Sequence, residues 1–505
     1  MDLTFETKTL PCLHETLYET ISQEETSETI VPDSFPDAAR ILDSFGTVIL
    51  RAKEYRAGGV SVTGGVQGGV VYAPDDGGAP RTLPVYVPFT IRAAGDGVTE
   101  KTRAMVDCRI RSVDARAVNP RKIMLRVNLA GSVDAFDPAE LETAEYKPEQ
   151  GSDLQILRRT YPVVRVMETA EKPFAMTEEA ELPAGRPAMR ELCRSSASFE
   201  VTESKLVGNK GVFKGAASLK LLYLTPEGEL AVWTCQFPFS QYVELGREYG
   251  GEEELQTVLT LTDSSVEDAN GQGKHVLVSF QLLAQCAVVG RQDVEVVEDA
   301  YSLRRAFTPA WRELDASGRL DRQSMSETVR FPVSAPVKSV IDTQLYLDVP
   351  VQRREGDALV LTVPVAANTI YQDDGGALQQ NISRFEASCR TSLSDGCVCR
   401  ASARLDGEPF AVPAGDGMEV RCTVTFTVDS MSGAGLKTLC GGQLGDEALP
   451  QDDRPSVILR PAAADESVWS VAKSCRTTVD AVKSANGLGE DAALSGMLLI
   501  PVVGK

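Results

Sequence analysis

Apolar and polar residues alternate along most of this chain, in runs broken by turns rich in Gly, Pro and Asp. One run carries Val60, Val62, Val66, Val70 and Tyr72; a second carries Phe213, Ala217, Leu219, Leu221 and Tyr223; a third carries Leu359, Leu361, Val363, Val365 and Tyr371. A period of two places one face of a strand on a core and the other in water. After each tyrosine comes an acidic turn, YAPDDG, YLTPEG or YQDDG, of the kind that closes a hairpin. Return strands follow at Leu83, Val85, Val87 and Phe89, and at Trp233, Cys235, Phe237 and Phe239; in the third run only Phe385 is clearly equivalent. Late strands are predicted over 123–129, 276–282 and 420–428.

These runs recur at a fixed distance. The segment from Thr9 aligns without gaps to the segment from Thr160, and Pro32, Pro183 and Pro332 end the motifs SETIVP, EEAELP and ETVRFP. A proline-led segment follows each, at Pro36, Pro187 and Pro336, and then the tyrosines Tyr72, Tyr223 and Tyr371. Landmarks that keep order and spacing across three stretches indicate an internal repeat. The predicted fold is mainly β. Three antiparallel, sandwich-like repeat modules are expected at 1–150, 151–300 and 301–432, strung along the chain with extended faces for binding protein. Short helical pieces are expected after the prolines, in PDAARIL and PAMREL. The Gly- and Asp-rich stretch 433–454 reads as a linker to a last domain at 455–505.

Composition narrows the function. A chain of 505 residues is too long for one core. The net charge of −21 argues against nucleic acid, whose binders need a basic footprint, and against an anionic membrane surface. The beginning, MDLTFETKTLPCLHETLYET, lacks the basic and apolar regions of a secretory signal, and no stretch approaches the length of a transmembrane helix. The 11 cysteines, an odd number spread over every module, are expected as reduced thiols in an intracellular protein, with Cys286 and Cys422 on apolar strand faces.

Little in the chain suggests catalysis. There are 2 histidines, His14 and His275, both expected to be structural, so triad chemistry lacks a base. Cys397 and Cys399 form a lone C-x-C without a second pair at zinc spacing. The glycine-rich 58–70 has no phosphate-loop pattern; Gly64 matches Gly215, which suggests close backbone packing or a bulge. A glycosidase-type pair of carboxylates stays open on composition, although the recurring acidic residues Asp75, Asp76, Glu227, Asp373 and Asp374 all fall in turns. No catalytic residue, cofactor or metal is expected.

The last fifty residues read strand, helix, helix, strand. Val457 to Leu459 begin them; Asp465 or Ser467 can cap a helix with Val468, Val471 and Ala472 on one face. Thr477 with Asp480 resembles a capping box opening a second helix, Asn486-Gly487 supplies a left-handed stop, and Leu498 to Ile500 form a last strand. With DESVWSVAK, TTVDAVKSANGL and SGMLLIP in register, this segment closely resembles a LysM domain. The resemblance implies a βααβ fold and a groove for N-acetylglucosamine-containing glycans such as peptidoglycan. The matching positions are Asp465, Glu466, Ser467 and Val468 on one side and Asn486, Gly487 and Leu488 on the other. Ala464 stands where that family usually has glycine.

The three modules, with their tyrosine-acidic turns, the pairs Pro88-Phe89 and Pro238-Phe239 and the terminal LysM-like segment, resemble the SPOCS-domain family of spore coat and spore envelope morphogenetic proteins. That resemblance implies a non-enzymatic scaffold in the mother-cell cytoplasm of a sporulating bacterium, at the forespore surface. Its implied partners are the basal-layer ATPase of the coat and other coat proteins. A peptidoglycan-binding anchor is the alternative.

Overall fold

The computed structural model describes residues 2–147, 153–314, 319–392, 397–432, 435–448, 455–463, 466–489 and 494–502. These are mainly β-strand with two short helices, and every strand pairing is antiparallel. No helix among the described residues is long and apolar enough to cross a membrane.

The first stretch supplies β1 (Asp2–Thr4), β2 (Glu6–Ile30), β3 (Ala38–Arg56), β4 (Gly58–Pro74), β5 (Arg81–Gly95), β6 (Arg103–Asn119) and β7 (Lys122–Glu145). They form one sheet in the order β2-β7-β6 and another in the order β3-β4-β5. A core including Leu50, Val62, Val87, Val106 and Leu125 draws on both. The second stretch supplies β8 (Leu154–Glu181), β9 (Glu191–Leu224), β10 (Leu230–Tyr249), β11 (Glu254–Asp268) and β12 (His275–Ser302). Here β8, β12 and β11 repeat the order of the first sheet, and β9 pairs with β10. β9 spans a length equivalent to β3 plus β4 and bends back at Gly208 (φ +58°), so that Thr202 donates to the Lys214 carbonyl. The third stretch supplies β13 (Arg305–Leu314), β14 (Arg319–Ser334), β15 (Ser339–Leu347), β16 (Val351–Glu355), β17 (Ala358–Gln372), β18 (Leu378–Ser392), β19 (Cys397–Ala414) and β20 (Gly417–Ser432). Again strands ordered β14-β20-β19 face a sheet built on β15, β16, β17 and β18. The pairing of Arg319 with Val164 joins β14 to β8, so that β11, β12, β8, β14, β20 and β19 make one six-stranded sheet. Its core includes Leu361, Val363, Val424 and Phe426.

The alternating residues singled out in the sequence are buried in β4, in β9 and in β17. Proline and tyrosine meet in two of the three stretches. Tyr72 Oη donates to the Pro36 carbonyl at 3.1 Å and Tyr223 Oη to the Pro187 carbonyl at 3.3 Å, each across 36 residues. Gly64 and Gly215 lie under aromatic rings: a Cβ on Gly64 would sit 2.6 Å from Phe89 Cζ, and one on Gly215 2.7 Å from Phe239 Cζ. Close packing, one of the two readings of these glycines, is therefore what they serve.

Three expectations are corrected. The segments PDAARIL and PAMREL form no helix: a turn precedes each, closed by Phe35 N–H to Pro32 O (2.9 Å) and Arg186 N–H to Pro183 O (3.1 Å), and from Pro36 and Pro187 the chain leads directly into β3 and β9. Pairing within a sheet outweighs a brief helical propensity there: Ala38 pairs with Pro74 and Ile41 with Tyr72.

The stretch read as a linker contains a strand, β21 (Leu436–Ala448), between β1 and β13 in a three-stranded sheet. Its glycines allow close approach: a Cβ on Gly441 would meet Leu3 O at 2.4 Å and one on Gly442 would meet Thr308 O at 2.4 Å.

The three sheet pairs are not strung out, because the first touches both of the others. Gln285 exchanges hydrogen bonds with the backbone of Val106, at 2.8 and 2.9 Å, while Arg109 donates to the Ala403 carbonyl at 2.7 Å. Arg404 closes the remaining junction on Glu200 at 2.5 Å. None of the 11 cysteines is in a disulfide, and Cys286 and Cys422 are buried.

Candidate functional site

The chain continues in β22 (Val457–Pro461), α1 (Val468–Cys475), α2 (Val479–Asn486) and β23 (Met497–Pro501), with β22 and β23 paired antiparallel. Ser467 caps α1, its Oγ accepting from the Ser470 N–H at 3.1 Å while Ser470 Oγ accepts from the Ser467 N–H at 3.0 Å. The cap of α2 is Thr478, one residue beyond the expected Thr477. Thr477 is buried instead and donates its hydroxyl to the Pro501 carbonyl, tying the start of α2 to the last strand. Gly487, at φ +62°, ends α2, and the Leu488 N–H returns to the Lys483 carbonyl at 3.0 Å.

Most polar groups of the expected groove are engaged within the unit. Glu466 pairs with Arg460 at 2.5 Å, and this bond, with the Ala463 N–H, holds its carboxyl below the ordinary value despite some burial. Asn486 donates to the carbonyls of Val482 (2.8 Å) and Leu499 (2.6 Å) and accepts from the Leu499 N–H at 2.7 Å. It fastens α2 to β23. Ser467 and Gly487 are exposed, while Val468 and Leu488 are half-buried. Asp465 lies outside the described residues.

A second surface of this unit was not singled out in the sequence. Ile458, Leu498 and Ile500 turn toward the helices, so their neighbours turn outward. Those neighbours are all apolar: Val457 is 47% exposed, Leu459 61%, Met497 61% and Leu499 38%, with Leu459 directly opposite Leu499 and Pro461 opposite Met497. A solvated face of an antiparallel pair ordinarily carries polar side chains. In the sequence the outward set is Val457, Leu459 and Pro461 in VILRP and Met497, Leu499 and Pro501 in MLLIP.

The unit is also docked on the end of β12. Trp469 donates its indole N–H to Asp299 at 2.8 Å, Lys473 bonds the same carboxylate at 2.6 Å, and Tyr301 packs edge-on to the Trp469 ring at 4.9 Å between centroids. Tyr301 Oη donates to the Thr477 carbonyl at 2.5 Å, and burial raises its pKa.

Elsewhere the reactive residue types are tied into the framework. His275 Nδ1 lies 3.3 Å from Glu179 on β8, and His14 sits on β2, in another sheet. Cys397 and Cys399 both pack against the third core, and Cys399 donates to Gln352 at 2.8 Å. Among the described residues no three His, Cys, Asp or Glu side chains are grouped as a metal ion would need. The carboxyl of Asp134 is pushed up to about 7 by burial and by Glu15, against the pull of Arg400. Arg400 holds Glu15 and lies over the Tyr18 ring at 3.9 Å, so this cluster joins β2 and β7 to β19.

No protein-family model, no curated protein and no solved structure matches this chain.

Proposed function

We propose that this protein is a non-enzymatic scaffold of the endospore coat: three SPOCS-like modules carrying a C-terminal LysM-like domain that docks onto coat protein. The reading rests on the resemblances of the sequence, and two features of the fold support it. The strand orders β2-β7-β6, β8-β12-β11 and β14-β20-β19 match, as three copies of one module would. The C-terminal order of strand, helix, helix and strand is the one a LysM domain would have.

The observation that favours a protein partner over a glycan is the apolar outer face of β22 and β23, with Leu459 and Met497 each 61% exposed. Contiguous exposed apolar surface is characteristic of protein interfaces. The polar groups of Glu466 and Asn486, which a sugar would need, are already engaged. In this reading the partners are the coat's basal-layer ATPase and other coat proteins. The site of action is the forespore surface, on the mother-cell cytoplasmic side.

The test uses the full chain. Purified protein is mixed with the recombinant basal-layer ATPase and, separately, with purified peptidoglycan sacculi. Capture of the ATPase, lost in Leu459→Arg and Met497→Glu, is the expected result. Sedimentation with sacculi that survives those substitutions and is lost in Leu488→Glu would favour the glycan anchor. A fluorescent fusion that stays diffuse in the sporulating host would count against the coat reading altogether.

A further inference from the structure

Arg194 is wholly buried and bonds two carboxylates at once, Asp43 of the first sheet pair and Asp342 of the third. The three residues are not a chance meeting. They are separated by 151 and 148 residues, the spacings that relate Tyr72, Tyr223 and Tyr371. One position of the repeat therefore comes together three times at a single point.

The surroundings repeat in the same way. Lys220 Nζ reaches Asp342 Oδ1 at 2.5 Å and the Thr343 carbonyl at 3.1 Å. Asn368, 148 residues later, reaches Asp43 Oδ1 at 2.7 Å and the Ser44 carbonyl at 3.2 Å. Each donates to the acidic residue and the following carbonyl of the next unit round. The adjoining apolar cluster contains Leu42, Cys193 and Ile341, and Val71, Leu222 and Ile370, each trio again at these spacings. The three units thus close as a ring around a pseudo-threefold axis, with the third returning to the first.

At such an axis identical residues cannot be carried by all three units, since three buried aspartates or three arginines would repel without compensation. Here Asp43 and Asp342 face Arg194 and Lys220, and Lys220 also meets the half-exposed Glu408 at 3.2 Å. Burial opposes the charge on both aspartates. At Asp342, Arg194 and Lys220 outweigh it and lower the pKa, whereas Asp43, which has the neutral Asn368 in place of a lysine, stays raised.

We propose that Arg194 is a key that fixes the kind and order of units in the ring, one second unit between a first and a third, so that units of the same kind from several copies do not close on each other. A buried ion network adds little net stability compared with well-packed apolar residues, but it strongly penalises wrong partners. A ring formed by second units alone would bring three arginines together, and one formed by first units alone three aspartates.

Four full-length chains test this: wild type, Arg194→Asp, the exchange Asp43→Arg with Arg194→Asp, and the apolar triple variant Asp43→Leu, Arg194→Met and Asp342→Leu. Urea unfolding and analytical ultracentrifugation are read on each. Arg194→Asp should lose about 0.5 M or more from its urea midpoint, or fail to fold. The exchange, which returns one cation to the axis, should recover at least half of that loss. The triple variant should be as stable as wild type yet form species of higher mass than wild type over the same concentrations. An Arg194→Asp chain that unfolds like wild type would overturn the proposal. So would an exchange variant no better than Arg194→Asp, or a stable triple variant with the wild-type mass distribution.

Discussion

The indole N–H of Trp469 donates to Asp299 at 2.8 Å, joining the first helix of the C-terminal unit to the end of β12. With Tyr301 packed against the same ring, this contact sets where the unit sits and leaves the outer face of β22 and β23 in solvent. Trp469→Ala removes a large partly buried ring and its hydrogen bond, and should weaken docking by about 3 kcal/mol. Hydrogen exchange in α1 should then rise while exchange in β7 and β12 away from the junction stays at wild-type rates. Unchanged exchange in α1 would show that the ring contact is dispensable.

Asp134 gives a pH dependence of defined sign. Its pKa of about 7 in the folded chain lies above the roughly 3.9 of an unfolded aspartate. A carboxyl that binds its proton more tightly when folded contributes most to stability at low pH, and the contribution is lost as pH rises from about 4 to about 7. Asp134→Asn removes that dependence. The gain in urea midpoint over wild type should therefore be larger at pH 8 than at pH 5. Equal differences at both values would mean that Arg400 keeps the carboxylate ionised throughout.

Gly64→Ala should destabilise the first sheet pair by about 1–3 kcal/mol, because the new methyl meets a carbonyl oxygen as well as the Phe89 ring. A Cβ there would lie 2.5 Å from Ile49 O, which cannot move without the strand. Gly250→Ala is the control, with no atom within 4 Å of its Cβ, and should be nearly neutral. Thermal unfolding of the two variants separates close packing from a general effect of replacing glycine.

Tyr72→Phe and Tyr223→Phe each keep the buried ring and lose one hydrogen bond to a proline carbonyl. Each should cost about 1 kcal/mol, and the two should add, since they share no partner. Urea midpoints of both single variants and the double measure this. A double variant no less stable than either single one would show that the bonds are not independent.

The strands were legible in the sequence because alternation is local: Val60 to Tyr72 and Leu359 to Tyr371 carry their burial pattern in their own order. Pairing between distant segments is not local, and there the reading stopped. β21 was hidden because glycine serves a flexible chain and a close strand approach equally, and only the positions of Leu3 and Thr308 tell the two apart at Gly441 and Gly442. Asp43, Arg194 and Asp342 look like surface charges until the ring brings them together. In the candidate site, Ser467 and Gly487 fall at the helix ends where the sequence placed them, since capping is local chemistry. The apolar outer face of β22 and β23 escaped notice because Leu459 and Leu499 read as core residues until the helices are seen to cover one side alone.

The sheet of β1, β21 and β13 has a kinetic consequence. Asp2, Leu3 and Thr4 find their partners at Gln443, Gly442 and Gly441, 441 to 437 residues later in the sequence. During synthesis those residues emerge early and stay unpaired until almost the whole chain has followed. Contacts of such long separation slow folding, and unpaired strand edges invite association with other chains in the interval. The three sheet pairs can form in turn as they are made, but the pairing of β1 with β21 can be set only after all three have been synthesised.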